Sequence, residues 1–467
     1  MRVVIIGGGI TGLATAYALS RLPDVHITLL EANARWGGNI LTDRVDDFVL
    51  DAGPDSWVVT KPHATALAKR LGLEAELVPT REENRKVYIA HEGELHPLPE
   101  GLVLGVPTRL RPVLQSRLFS ARGKVRMALE PFVPRRASDD DESIYDFVVR
   151  RLGREAAERV AAPLLGGVFA GDARALSMAA TFPQFIAMER DHGSLALALR
   201  KARRTPQGEK SAGAFVSLRG GMDTLVRTLV DSLRHVRVRT SAIVRSIERV
   251  PTTFDSPYVV ILEGGESVEA DQVVVAVPPY RASAILKSFD DTLATELEGI
   301  ECASTATVFL AFRREQIKHP LDGVGFIVPR SSGHRCLAGT WVSSKWPSRA
   351  PDDSVLFRVF FGGAEDSLVL DRDDADLVRL AKKELFDLMA LDATERFFRV
   401  YRFHRASPQP KVGHIARMER VRIRVATHPG LHVGGNGYFG IGIPDCIKQA
   451  EHVAALIAAA SVEPQSR

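Results

Sequence analysis

Three glycines near the N-terminus, Gly7, Gly9 and Gly12, have the spacing of a turn built to receive a pyrophosphate. Gly7 allows the tight turn, Gly9 lets the backbone come close to the phosphates, and Gly12 lets the next helix pack against the preceding strand. The apolar run Val3 to Ile6 predicts a short buried strand before the turn, and Thr11 to about Arg21 a helix whose N-terminal amides point at phosphate oxygens. Pro23 and Asp24 break that helix. Val25 to Leu30 then predicts a second strand ending at Glu31, where a carboxylate can accept hydrogen bonds from ribose hydroxyls. Strand, turn, helix, strand and acid, in that order within one βαβ length, point to a bound dinucleotide. The acid at that position disfavours a cofactor carrying a 2′-phosphate.

These residues must be positioned by a large fold, and at 467 residues the chain has room for two or three domains. With 45% hydrophobic and 25% charged residues its composition is that of a globular protein. Its apolar runs are short and interrupted, which predicts no transmembrane helix, and the N-terminus enters a strand at Val3, leaving no space for a signal peptide. Cys302, Cys336 and Cys446 are far apart, so neither a disulfide framework nor a zinc site is indicated, and each reads as a small buried hydrophobe. A cytoplasmic location is the resulting expectation. The formal charge of +4 is modest and speaks to solubility more than to a partner.

Along the chain, Phe48 to Ser56 predicts a strand running into a sharp turn at Asp51-Ala52-Gly53-Pro54. Lys61 precedes a helix that begins at Pro62. Leu102 to Arg136 mixes apolar positions with Arg109, Arg111, Arg117, Arg122, Lys124, Arg126, Arg135 and Arg136 against the single acid Glu130. Such a basic, helical stretch can lie on a membrane surface, guide anionic ligands, or be a solvated face. Aromatics are sparse among these arginines, so nucleic-acid binding has little support. Gly166, Gly167 and Gly171 predict a break in a helical region. Met222, Leu225, Val226, Leu229, Val230 and Leu233 form one helical face. From Asp290 to Ser407, β-branched and aromatic runs predict a separate sheet with one helix, Asp373 to Ala390, and such a sheet is the natural place for substrate. Near the C-terminus a glycine-rich turn leads into a long helix with Pro444 in its first turn, aiming a second helix N-terminus at the cofactor.

Glu31, Arg35, Gly37 and Gly38 follow a Glu-x-x-x-Arg-x-Gly-Gly pattern that resembles the flavin-containing amine oxidase superfamily. The whole chain resembles its porphyrinogen oxidases of haem biosynthesis, on VVIIGGGITGLA, EANARWGG, DAGPDSW, PLLGGVFAGD with LSMAATFPQF, GVGFIVP and GNGYFGIGIPDCI. GELHPLPEGLVLGVPT and GTWVSSKWP look like the bacterial coproporphyrinogen III oxidase branch. The resemblance implies non-covalent FAD. It implies cofactor contacts at Gly7, Gly8, Gly9, Ile10, Thr11 and Gly12, then at Glu31, Ala32, Arg35, Gly38 and Asn39. Further contacts are implied at Gly53, Pro54, Asp55, Ser56, Val244 (at adenine), Phe403, Ile441, Gly442 and Ile443. It places Lys61 at the substrate mouth, an alternative to its being a helix-start lysine. Gly167 falls near the reacting carbon, with Val324, Ile327 and Phe360 lining an apolar macrocycle slot. Phe403 stands where relatives often have Trp, and Pro410 where a Tyr is common. No residue is singled out as a catalytic base, and no metal is implied.

The implied fold is α/β: a Rossmann-type FAD-binding domain, glutathione reductase-like or amine oxidase-like, with a mixed-sheet substrate domain and a helical insertion. The expected boundaries are 1–43, 214–290 and 412–463 for FAD binding, 44–80, 190–213 and 291–411 for substrate, and 81–189 for the mainly helical insertion. The implied activity is oxidation of coproporphyrinogen III by dioxygen to coproporphyrin III with hydrogen peroxide release. The partners implied are the porphyrinogen, dioxygen, a membrane surface in contact with the insertion, and other haem-biosynthesis enzymes taking the product. The alternatives are protoporphyrinogen IX oxidation, another amine oxidase-type chemistry, or a non-catalytic flavin or porphyrin carrier.

Overall fold

The computed structural model describes residues 1–103, 105–204, 214–249 and 257–462. Parts of the expected spans, residues 104, 205–213, 250–256 and 463, lie outside the described residues.

The N-terminal motif builds a five-stranded parallel sheet in the spatial order Arg237–Arg239, His26–Leu30, Arg2–Ile6, Gln272–Val275 and Leu431–Val433. Strand segments far apart in sequence thus pair around the first strand. Both faces are covered, as a parallel sheet requires. Val3, Ile5, Ile27 and Leu29 pack with the Ile10–Leu19 helix and the last helix, Ile443–Val462. Val4, Ile6 and Leu30 turn the other way, against the meander Val244–Arg249, Tyr258–Leu262 and Ser267–Ala270. Each fully buried leucine in such a core contributes about 1.5–3 kcal/mol.

A second, seven-stranded mixed sheet runs Phe397–Pro408, Cys302–Arg313, Ser354–Gly362, Ala338–Trp341, Gly323–Ile327, Lys86–His91 and Glu94–Pro97. All its pairings are antiparallel except that between Gly323–Ile327 and Lys86–His91. The helix Asp374–Met389, capped by the Asp373 side chain, covers one face with Leu377, Val378, Ala381 and Leu385.

The structure redraws three sequence expectations. The hairpin Lys86–His91 and Glu94–Pro97, which the sequence predicts at Val87 to Ala90 and Glu94 to His96 but within the span of the mainly helical insertion, extends the seven-stranded sheet. The helix Pro62–Arg70, from a span expected to serve substrate, puts Ala64, Leu67 and Ala68 into the core around Leu13 and Leu29. Gly166 and Gly167 do not break a helix but lie within one, Ala162–Phe169, which ends at Ala170 in the left-handed conformation. Close packing explains the small residue at 166: a Cβ there would come 2.8 Å from the Gly171 carbonyl oxygen.

Apart from the short antiparallel pair Leu102–Val103 and Val106–Pro107, the rest of the insertion is mainly helical, and it carries its own core, including Phe147, Val160, Leu165 and Phe169. Lys124 and Arg126, expected in the basic face, donate instead to the carbonyls of Leu114, Arg150 and Arg151. Arg109, Arg111, Arg117 and Arg122 remain exposed beside exposed Leu114, Val125 and Phe132. Among the described residues no helix is long and apolar enough to cross a membrane.

Candidate functional site

The three glycines of the first turn answer to different constraints. Gly7 has φ +110°, and a Cβ on it would lie 2.5 Å from the Ala276 carbonyl oxygen. A Cβ on Gly12 would overlap the Gly7 carbonyl oxygen, so the helix can lie on the strand only with glycine there. Gly9 is different. It has φ −73°, which any residue adopts, and a Cβ on it would meet no protein atom within 4 Å. The protein itself gives no reason for glycine at 9, whereas a pyrophosphate lying against the backbone does. The Ile10–Leu19 helix starts at Gly9 with no side-chain cap, leaving its first amides without a side-chain acceptor. This cradle fits the flavin dinucleotide that the sequence implied.

The loop after the second strand is knitted to that turn. Gly37 bridges Gly9, and Gly38 packs on the Gly9 Cα. Glu31 is buried, and its carboxylate accepts from the Gly8 amide at 2.7 Å and from the Asn33 amide at 2.8 Å and side chain at 2.6 Å. It therefore shapes the turn at the place where the sequence expects a ribose contact, with exposed Ala32 beside it. Arg35 donates to the carbonyls of Trp36, Gly38 and Ile40, so it organises the loop. Trp36 lies over Gly8 so closely that a Cβ there would overlap its ring, a contact sequence reasoning missed.

Gly53, at the expected flavin turn, packs on the Asn39 carbonyl with no space for a side chain, and Asn39 donates to the Ala406 carbonyl at 3.2 Å. Pro54 follows, half-buried. The Asp55 side chain turns away toward the second sheet and accepts from Lys345 at 2.7 Å, Trp346 at 3.0 Å and Ser56 at 2.7 Å. Burial alone would push its carboxyl up, but Lys345 and Arg358 outweigh that and hold it well below the usual carboxylate range. Val244 lies buried at the start of the meander, next to the Ala242 amide, which donates to the Glu31 carbonyl.

The far end of the sequence returns to the same place. Ile443, Cys446 and Ile447 pack in one core with Ile10, Leu13 and Ala14, so the N-termini of the first and last helices lie side by side. Thr11 hydrogen-bonds the Cys446 thiol, whose pKa burial pushes up to about 12, so this cysteine is an inert filler. Gln449 grips the Gly435 amide and carbonyl from within the last helix and fixes the glycine-rich turn, another contact that sequence reading missed. Gly442, exposed with φ +101°, donates to the Asn436 side chain at 3.4 Å. Lys61 precedes the Pro62–Arg70 helix, and its ammonium pairs with Asp445 of the last helix at 2.6 Å.

On the side expected to serve substrate, the helix carrying Gly167 is anchored to the second sheet. The Ala364 amide donates to the Ala170 carbonyl at 2.8 Å, and Gln409 donates to the Phe169 carbonyl at 2.8 Å. This brings exposed Gly167 toward the strand bearing Phe360. Ile327 and Ile441, both half-buried, pack on the same insertion core as Leu165 and Phe169. Half-buried Val324 sits at an irregularity in the pairing of its strand. Phe360 and Phe403 share one face of the sheet, on strands flanking Cys302–Arg313. A cavity of ≈ 280 Å³ opens beside Gly167, lined also by Arg174, Arg330, Val328 and Leu337. Val324, Ile327 and Phe360 lie outside its lining.

The family described as flavin containing amine oxidoreductase matches residues 10–458. The coproporphyrinogen III oxidase of Bacillus subtilis is 35% identical over 96% of both chains, and that of Staphylococcus aureus 32% identical over 97% of this chain and 98% of its own. A crystal structure from Exiguobacterium sp. 255-15, provisionally described as a protoporphyrinogen oxidase, superposes with a TM-score of 0.87 at 32% identity, covering 98% of this chain and 99% of that one. With such likeness over nearly its whole length, the chain belongs to the flavin containing amine oxidoreductase family, on the branch of the bacterial porphyrinogen oxidases.

Proposed function

We propose that this chain is an FAD-dependent oxidase that converts coproporphyrinogen III to coproporphyrin III, a six-electron oxidation with dioxygen as acceptor and hydrogen peroxide released, in haem biosynthesis. The observation that carries this reading is the full-length likeness to the coproporphyrinogen III oxidase of Bacillus subtilis. Residues 1–43, 214–290 and 412–463 would hold FAD non-covalently. The seven-stranded sheet, together with the insertion helix bearing Gly167, would hold the macrocycle.

When bound, FAD supplies the two-electron acceptor that dioxygen reoxidises. The chain supplies orientation and dryness. Gly9 and the uncapped amides that follow it would meet the pyrophosphate, and Glu31 the ribose. Gly167 presents bare backbone, so a flat ring system can lie against it, with Ile327 and Phe360 offering apolar surface. Departure of hydride from a porphyrinogen bridge is assisted by the pyrrole nitrogen, which explains why the site needs no strong base at that carbon. The exposed arginines of the insertion suit a tetra-anionic substrate. Their apolar neighbours Leu114, Val125 and Phe132 suit a peripheral membrane contact for a protein working in the cytoplasm.

The decisive experiment gives the FAD-loaded protein coproporphyrinogen III and protoporphyrinogen IX separately and follows porphyrin fluorescence and peroxide. Faster conversion of coproporphyrinogen III with stoichiometric peroxide is expected. Preference for protoporphyrinogen IX would favour the activity named for the Exiguobacterium structure, and binding without turnover would make the chain a carrier.

A further inference from the structure

Behind the turn at Ala52 to Pro54 lies a charged cluster whose signs do not cancel. Asp51 pairs with Arg349 at 2.9 Å, and Asp55 with Lys345 at 2.7 Å. Arg358 is a third cation, 6% exposed, and one of its terminal nitrogens donates to the Ala52 carbonyl. Among the described residues no carboxylate reaches it within ion-pair distance, and its Nε has no hydrogen-bond partner. At the rim Asp223 is shared by Arg44 at 3.1 Å and exposed Arg227 at 3.3 Å, and Arg399 lies 4.0 Å from Asp43, so any surplus there is open to solvent. One buried positive charge is left over.

Two aromatic rings cover the guanidinium on one side. The Phe360 ring stands 4.4 Å from it and the Phe309 ring 5.4 Å. On the other side it grips the turn that abuts the cofactor cradle. The Ala52 amide donates to the Leu41 carbonyl, Gly53 packs on Asn39, and the same loop bridges Gly9 through Gly37. Burial lowers the Arg358 pKa to about 10 against the pull of Asp55 and Asp51, so it stays charged at neutral pH. A buried charge without a counter-charge is costly unless a bound group uses its field.

We propose that Arg358 supplies the positive charge that tunes the bound flavin, raising its affinity for electrons without touching substrate. The inference rests on the flavin-binding reading above. In surroundings of low dielectric such a field falls off slowly.

The test uses the full-length, FAD-loaded protein without porphyrinogen. Two quantities are measured: the flavin midpoint potential, and the Kd for sulfite, whose addition to the oxidised ring is favoured by nearby positive charge. R358M should weaken sulfite binding about tenfold and lower the midpoint by about 30 mV, the two-electron equivalent of that factor. R358K should stay near the wild type. D55N leaves Lys345 without its carboxylate and should shift both quantities the opposite way. A flavin-loaded R358M with wild-type sulfite affinity and potential overturns the proposal. If R358M does not hold flavin, an unchanged or lowered potential in D55N overturns it equally. A wild-type chain that takes up no FAD defeats the flavin reading instead, which is a separate outcome.

Discussion

The Lys61 ammonium lies 2.6 Å from the Asp445 carboxylate, joining the start of the Pro62–Arg70 helix to the first turn of the last helix. The lysine is half exposed, at 50%, and the carboxylate mostly covered, at 15%. The structure places the lysine at a helix start, and a place at the substrate mouth is proposed for it. An exposed pair of this kind contributes at most about 1 kcal/mol to stability, so its effect should appear in the encounter with an anionic substrate. Lys61→Ala should lower kcat/KM for coproporphyrinogen III about threefold to tenfold while flavin content and thermal stability stay unchanged. Asp445→Asn frees the lysine and should raise kcat/KM. Equal kcat/KM in wild type and both variants would remove the pair from the substrate's path.

Gly9 and Gly12 should fail in different ways when substituted. Gly9 has open space around it and an ordinary φ, so Gly9→Val should fold with the stability of the flavin-free wild type yet bind no FAD. Gly12→Val would drive a side chain into the Gly7 carbonyl and should prevent folding of the parallel-sheet domain. Flavin absorbance and a thermal melt of the apoprotein distinguish the two outcomes. A yellow Gly9→Val protein would mean that the pyrophosphate does not lie there.

The contrast between these glycines shows what the sequence could and could not convey. Turn, helix start and terminal acid are local: their constraints fall within about 30 residues, and spacing alone reveals them. The strands Cys302–Arg313 and Ser354–Gly362 were also legible, as β-branched and aromatic runs between Asp290 and Ser407. The parallel pairing of Lys86–His91 with Gly323–Ile327 was not legible, because nothing periodic links segments so far apart. Arg349 and Arg358 read as ordinary charged positions. Only the fold brings them under the Asp51 to Asp55 turn, where the one pairs with Asp51 and the other, among the described residues, has no carboxylate within ion-pair distance. Gly166 and Gly167 misled because helix propensity is weak against packing, and here the Gly171 return demands a small residue inside a helix.

Acid stability should have one identifiable source at Asp290. Its carboxylate, 1% exposed, caps the Asp291–Glu298 helix through the Leu293 amide and pairs with Arg424 and His428 at 2.6 Å each. Burial would push its pKa up, but the bonds from Arg424, His428 and Leu293 hold it down at about 2. A carboxyl depressed below its unfolded value of about 3.9 stabilises the fold fully above that pH, and loses the contribution as pH falls toward 2. The amount is roughly 2–3 kcal/mol. Urea midpoints between pH 5 and 2 should therefore fall less steeply in Asp290→Asn, which starts lower at pH 5. Parallel pH profiles would assign the acid limb to other carboxylates.

The helical insertion should be the part of the fold most easily loosened on its own, and one residue tests this. The Glu130 and Arg151 side chains are both wholly buried and pair directly. Glu130 also accepts from the Ser194 hydroxyl at 2.6 Å and from the Leu195 and Ala196 amides at 3.0 and 3.2 Å, at the start of the helix Leu195–Arg204. Removing the carboxylate leaves the Arg151 guanidinium with Glu189, at 3.5 Å, as its remaining carboxylate and strips two helix-start amides of their acceptor, a change that costs about 3–5 kcal/mol. The core around Phe147, Val160 and Leu165 is separate from the one around Leu13 and Leu29, so the loss should stay within the insertion. Glu130→Ala should retain flavin but show an early urea transition by far-UV circular dichroism, ahead of flavin release. The double variant Glu130→Met with Arg151→Met should move that transition back, because an apolar pair leaves no buried charge behind. A single transition in which circular dichroism and flavin release coincide would show instead that the insertion and the dinucleotide domain unfold as one unit.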